Sequence, residues 1–215
     1  MNQPLADRFR AVVFDMDGLL LDTEVAWQRA EEDLFRRHGE TFSMDDKLAV
    51  IGTSAEQTAE YFAQRLNQPA DRGPALVDEL MAAMHEELKV QVAGRPGAIE
   101  LVERLRGRTR LGLASNSPRR LVDAALATAN LADAFDAIVT SDDAAFKPAP
   151  DIYLLACERL GVAPSDALAL EDSASGVAAA KAAGLTCIAV PQFAEIDVTA
   201  ADRVIDSLEE LLAET

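Results

Sequence analysis

Short apolar runs recur along this chain, separated by amphipathic stretches. Ala11–Phe14 is a continuous apolar run that stops at Asp15. Its length and β-branched content predict a strand buried on both faces, as in a parallel sheet. Residues 111–114, 137–139, 167–170 and 187–190 repeat the pattern, and 204–205 is a shorter sixth run. Helical periodicity fills the intervals over 98–105, 118–129, 150–160 and 173–183. Ser117 before Pro118 reads as a cap followed by a first-turn proline. Gly161 and Gly184 suit left-handed helix stops. Strands alternating with helices indicate βαβ units around a parallel sheet.

One stretch breaks the rhythm. Between about Thr23 and Val90 no strand-like run occurs, while helical patterns cover 24–37, 44–51, 55–66 and 74–89. Gly39, Gly52 and the segment 67–73 punctuate them. The expected fold class is therefore α/β: a Rossmann-like parallel-sheet core over 1–20 and 94–215, with an inserted α-helical domain over 21–93. The ends of such an insert lie close in space, and it can serve as a lid.

Composition narrows the function. The 215 residues carry 20 Lys plus Arg against 37 Asp plus Glu, a formal net charge of −17. That balance argues against nucleic acid as a partner and against anionic membrane surfaces. It also repels anionic substrates at long range, so a phosphate site needs strong local cations. No run reaches the roughly 18 uninterrupted apolar residues of a membrane span, and residues 1–10 lack the apolar region of a secretory signal. Cys157 and Cys187 are too few for a disulfide framework or a zinc ribbon and read as core packing. The expectation is a cytoplasmic protein, monomeric or a weak homo-oligomer.

Candidate chemistry gathers at the strand ends. The first strand runs into Asp15-Met16-Asp17-Gly18, the second into Ser115-Asn116-Ser117, the fourth into Glu171-Asp172-Ser173. The third leads through Asp142 and Asp143 to Lys147-Pro148. Ligands of open α/β sheets bind outside the carboxyl ends of the strands, so these groups converge on one rim. Carboxylates, a hydroxyl and a cation together suit Mg²⁺ and a phosphoryl group.

The same residues carry a resemblance. Phe14-Asp15-Met16-Asp17-Gly18-Leu19-Leu20-Leu21-Asp22-Thr23-Glu24, Ala114-Ser115-Asn116-Ser117, Lys147-Pro148-Ala149-Pro150 and Glu171-Asp172-Ser173-Ala174-Ser175-Gly176 resemble, in order and spacing, the four motifs of the haloacid dehalogenase superfamily. The helical insert resembles the cap of its β-phosphoglucomutase and phosphoglycolate phosphatase branch. The resemblance implies that Asp15 is a nucleophile forming an aspartyl-phosphate and that Asp17 is the general acid/base. It implies that Ser115 bonds a phosphoryl oxygen and that Lys147, one of four lysines, neutralises charge on phosphate and Asp15. Mg²⁺ would be held by Asp15, the backbone carbonyl of Asp17, and Asp172, with Glu171 acting directly, through water, or behind the ligands. Asn116 either contacts phosphate or shapes its loop. Trp27 either walls the substrate or packs between cap helices. Asp142 and Asp143 either support the metal's waters and Lys147 or belong to a polar loop, and Arg119 and Arg120 read as a solvated helix face.

Asp17 favours phosphoryl transfer over dehalogenation, which lacks the second acid. Mutases of this branch carry a His in the first cap helix and an Arg in the cap loop. Trp27 and Ala55 stand there instead, removing a grip on a distal phosphate. The expected activity is a Mg²⁺-dependent phosphatase acting on a small phosphorylated metabolite, a sugar or polyol phosphate in preference, with Trp27, Thr53 and Ser54 as specificity candidates. A phosphomutase and a non-catalytic regulatory module are the alternatives.

Overall fold

A computed structural model gives the structure of this chain and describes residues 3–50, 55–193 and 195–215. The chain divides into two compact units, Met1–Thr23 with Val92–Thr215, and Glu24–Gln91. In chain order the elements are α1 (Leu5–Arg8), β1 (Ala11–Phe14), β2 (Leu21–Asp22), α2 (Glu24–Arg37), α3 (Met44–Val50), α4 (Ala55–Arg65) and α5 (Gly73–Val90). There follow β3 (Ala93–Gly94), α6 (Ala98–Leu105), β4 (Arg110–Ala114), α7 (Arg119–Thr128), β5 (Ala137–Val139), α8 (Asp151–Leu160), β6 (Ala167–Glu171), α9 (Ala174–Ala183), β7 (Thr186–Ala189) and β8 (Arg203–Val204).

The first unit is built on a six-stranded sheet of order β5-β4-β1-β6-β7-β8, with every pairing parallel. All four residues of β1 are fully buried, which explains their unbroken apolar run: helices on both faces leave no solvent side for a polar residue. Phe14 pairs with Leu113 on one side and Leu170 on the other. Continued by one residue, that register sets Asp15 level with Ala114 and Glu171 at the carboxyl end, with Ser115 one residue further on. The sheet reverses its order about β1, where open α/β sheets place their ligands. Cys157 and Cys187 are buried free thiols in the core.

Two local expectations change. Helix α7 starts at Arg119, with Pro118 as its N-cap and no capping side chain; the Ser117 hydroxyl is engaged elsewhere, as described below. The bounds of the insert move inward from 21 and 93 to Glu24 and Gln91. Leu21 and Asp22 pair antiparallel with Gly94 and Ala93, and this ladder belongs to the first unit. Two-residue strands are too short to show a period in sequence.

The second unit is all-helical. Leu34 and Phe35 of α2, Phe62 of α4, and Leu76, Leu80, Met84 and Leu88 of α5 are buried. Phe35 meets Phe42 and Phe62 edge-on, at centroid separations of 4.9 and 5.5 Å, the geometry ring quadrupoles favour. Helix α3 opens on a reciprocal cap: Ser43 N donates to Asp46 Oδ2 at 2.8 Å, and Asp46 N donates to Ser43 Oγ at 3.2 Å. Asp46 Oδ1 also accepts from Tyr61 Oη at 2.7 Å and from Arg65 Nε at 2.8 Å, tying α3 to α4. Truncating Asp46 removes the cap and strands two donors. Asp46→Ala is expected to cost about 2 kcal/mol of stability, read from the shift of the urea unfolding transition.

Candidate active site

The site is assembled from the carboxyl ends of β1, β4 and β6 and the loop after β5. Asp15 follows β1 directly, and its backbone N–H donates to Leu170 O at 3.0 Å, which continues the sheet ladder and fixes the side chain's origin. Lys147 is 7% exposed and Glu171 is fully buried. The Lys147 ammonium donates to Asp15 Oδ1 at 2.5 Å, to Glu171 Oε1 at 2.5 Å and to Ala114 O at 2.8 Å. All three of its N–H bonds are used, and a buried charge of this kind is tolerable only when so paired.

Asn116 brackets the same lysine from the backbone side. Its Oδ1 accepts from Lys147 N at 2.9 Å, and its Nδ2 donates to Lys147 O at 3.4 Å. Both ends of the side-chain amide therefore engage the backbone of the loop. Asp143 supports this loop as well: it accepts from Thr140 N and Oγ1 at 3.0 Å and from Arg159 at 2.6 Å. The Arg159 hydrogen bond leads in holding its carboxyl down, at about 2. Asp142 accepts from Arg119 N at 3.0 Å, and the Arg119 guanidinium pairs with Asp123 one turn on.

Asp17 is turned toward a different set of partners. Its Oδ1 accepts from Thr23 Oγ1 at 2.8 Å, and its Oδ2 accepts from Ser117 Oγ at 2.8 Å and Ser115 Oγ at 3.2 Å. Ser115 Oγ in turn accepts from Ser117 N at 3.0 Å. Three hydroxyls thus hold one carboxyl, and a hydroxyl can donate to the ionised form or accept from the protonated one. A group placed this way can keep its position through a change of proton.

Asp15, Glu171 and Asp172 are buried, and each can offer an oxygen within 4.8 Å of the others. Burial pushes the Asp15 carboxyl well up; Lys147 pulls it down, while Glu171, Asp172 and Asp17 push it up again. Burial, then Glu171, raise Asp172 to about 7 against the pull of Gln192 and Lys147. Burial alone would lower Lys147, but the Asp15 and Glu171 carboxylates hold it above its usual range. Acids crowded to this degree are short of positive charge. An all-oxygen donor set with no sulfur or imidazole fits a hard divalent cation.

Two glycines make the crowding possible. Gly18 has φ of +88°, and a Cβ there would lie 2.3 Å from Asp172 Oδ2 and 2.2 Å from Gln192 Nε2. Gln192 donates to Asp172 Oδ2 at 3.3 Å. A Cβ at Gly176 would lie 2.0 Å from the Glu171 carboxyl carbon. Ser173 Oγ caps α9 through Gly176 N at 3.0 Å.

The expected residues Asp15, Asp17, Ser115, Asn116, Lys147, Glu171 and Asp172 all lie in this assembly. Trp27 is half-buried on α2 of the second unit, and Thr53 and Ser54 fall outside the described residues. Thr23, Ser117, Tyr153 and Gln192 are site residues that sequence reasoning missed. Thr23 and Ser117 sit inside the two motif stretches, so their hydroxyls were open to notice. Tyr153 and Gln192 carry no local signal.

A sheet with its order reversed about β1, and paired acids plus a buried lysine at its carboxyl end, define a haloacid dehalogenase-like hydrolase. The family model of that description matches residues 12–190, and the chain belongs to this family. It is 33% identical over 186 residues to fructose-1-phosphate phosphatase YqaB of Escherichia coli, covering 86% of this chain and 97% of that one. It is 34% identical over 186 residues to hexitol phosphatase B of the same species, covering 84% and 83%. The structure of CbbY from Rhodobacter sphaeroides in complex with phosphate superposes with a TM-score of 0.83 at 31% identity, over 96% of this chain and 98% of that one. Among the described residues no helix is long and apolar enough to cross a membrane.

The raised acids make a prediction about cation binding. Above pH about 7 the Asp172 carboxyl is ionised and free to bind; below it, a proton competes for the same oxygens. Affinity for a divalent cation is therefore expected to fall as pH drops through about 7, with protons released on binding. Calorimetric titration at pH 6 and pH 8, each in buffers of two ionisation enthalpies, measures both.

Proposed function

We propose that this haloacid dehalogenase-like phosphatase uses Mg²⁺ and hydrolyses small sugar or polyol phosphates through an aspartyl-phosphate at Asp15. The observation that carries the reading is the Asp15–Lys147–Glu171 assembly: a buried carboxylate at the sheet's carboxyl end, with an ammonium already against it. Asp15 and Asp172, the backbone carbonyl of Asp17, and Glu171 directly or through water would hold the cation. Its charge would offset that of the acids and of a bound phosphoryl group.

In this reading Oδ1 of Asp15 stays with Lys147, and the other oxygen attacks phosphorus. The new Asp15–phosphorus bond forms as the phosphorus–oxygen ester bond breaks, and the departing alkoxide takes a proton from Asp17. Asp17 then removes a proton from water, whose oxygen displaces Asp15 and releases inorganic phosphate. The hydroxyls of Thr23 and Ser117 would hold Asp17 in place in both protonation states. Ser115 would turn its one O–H from Asp17 to a phosphoryl oxygen as substrate binds, and the Lys147 ammonium, already bonded to Asp15, Glu171 and Ala114 O, would contribute through its charge together with the cation.

The substrate class is supported by the relatives named for fructose 1-phosphate and hexitol phosphates. Trp27, Thr53 and Ser54 are the specificity candidates of this reading. A phosphoester panel with Mg²⁺ tests the whole reading: sugar and polyol monophosphates are expected to release inorganic phosphate fastest. Phosphoglycolate beating every sugar phosphate refutes the substrate class. Isomerisation of β-glucose 1-phosphate without phosphate release, followed by phosphorus NMR, selects a mutase. Asp15→Asn is expected to lower kcat by at least about a thousandfold, and Trp27→Ala to change KM among sugar phosphates more than kcat.

A further inference from the structure

Tyr153 is fully buried on α8, and the reaction outlined above does not use it. Its hydroxyl donates to Glu171 Oε1 at 2.6 Å, the same oxygen that receives the Lys147 ammonium at 2.5 Å. Its ring centroid lies 5.2 Å from Lys147 Nζ. The other Glu171 oxygen accepts from Asp172 N and from Ser173 Oγ, both at 3.2 Å. Burial, then the neighbouring Glu171 charge, keep the phenol well above its usual range, so it stays a donor.

Lys147 reaches the site on a flexible four-carbon stem, and its position depends on what its three N–H bonds meet. Ala114 O is backbone and cannot move far. Asp15 is the group that must react. Glu171 is therefore the adjustable anchor, and the Tyr153 hydroxyl fixes which way its carboxylate points. Without that hydroxyl, Oε1 would keep a single charged partner, and the ammonium would be drawn more strongly toward Glu171 and away from Asp15.

We propose that Tyr153 is a positioning residue of the site: by sharing Glu171 Oε1 with Lys147, it holds the ammonium against Asp15. The proposal rests on the phosphatase reading only for its kinetic consequence. Tyr153→Phe keeps the ring and removes the donor. It is expected to lower kcat about tenfold with little change in KM, and to weaken inhibition by vanadate by a similar factor. In a Glu171→Gln background the same change is expected to add less than about twofold, because the tyrosine acts through that carboxylate. A Tyr153→Phe enzyme with a lower Tm but unchanged kcat and vanadate inhibition overturns the proposal, since packing alone would then explain the residue.

A measurement independent of turnover keeps the proposal testable if the variant does not fold or if the substrate class is wrong. With four lysines in the chain, ¹⁵N-lysine labelling gives a simple side-chain spectrum, assigned by loss of one signal in Lys147→Arg. In the unmodified protein the Lys147 ammonium protons are expected to show a nuclear Overhauser contact to a slowly exchanging tyrosine hydroxyl proton. Absence of that contact overturns the proposal. Its presence together with no phosphate release from any phosphoester supports the placement of Tyr153 and sinks the phosphatase reading instead.

Discussion

One ammonium group, buried between two carboxylates at the end of a parallel sheet, is the interaction on which the site depends. Burying an unpaired carboxylate is expensive in a low-dielectric interior. Lys147 makes the burial of Asp15 and Glu171 tolerable, and the backbone oxygen of Ala114 completes its hydrogen bonding. The compensation is partial, for Asp15 and Asp172 remain pushed upward. That remaining shortage of positive charge is what a bound divalent cation would offset, and the same cation would have to offset the negative charge of a phosphoryl group as well.

Close approach is the second constraint. The acids can share so small a volume only because Gly18 and Gly176 withhold side chains where Asp172, Gln192 and Glu171 sit. At Gly18 the left-handed backbone adds a conformational reason to the steric one. Hydroxyls do complementary work around Asp17. Thr23 from one stretch of the chain, and Ser115 and Ser117 from another, hold it on a separate set of partners from the Asp15–Lys147–Glu171 group. In the proposed reaction this separation would let Asp15 serve as nucleophile and Asp17 as proton carrier, because their surroundings differ.

The acidity of the chain extends into the site itself, where four carboxyls gather around one ammonium. A surface of net −17 sets a repulsive field for any phosphoester. In the proposed reaction a divalent cation beside the buried lysine would offset that field locally, where salt screens little and effective dielectric is low.

Much of this was legible in the residues alone. Continuous apolar runs identify doubly buried strands, and glycines at Gly161 and Gly184 mark helix ends, because both signals are local and depend on a few consecutive residues. The acids, serine and lysine of the site were visible for a related reason: each follows a strand directly or lies in the loop beyond one, so topology alone sends them to one rim. Only the tertiary structure could decide which atom meets which. Ser117 reads as a helix cap in sequence, yet its hydroxyl serves Asp17 across a hundred residues of chain. The pairing of the Asn116 amide with Lys147's backbone depends on two loops that only the fold brings together. Tyr153 looks like one more apolar position on α8, and its role depends on a carboxylate 18 residues away. Periodicity reports which face of an element is buried; it carries no information about hydrogen-bond partners brought together by strand register.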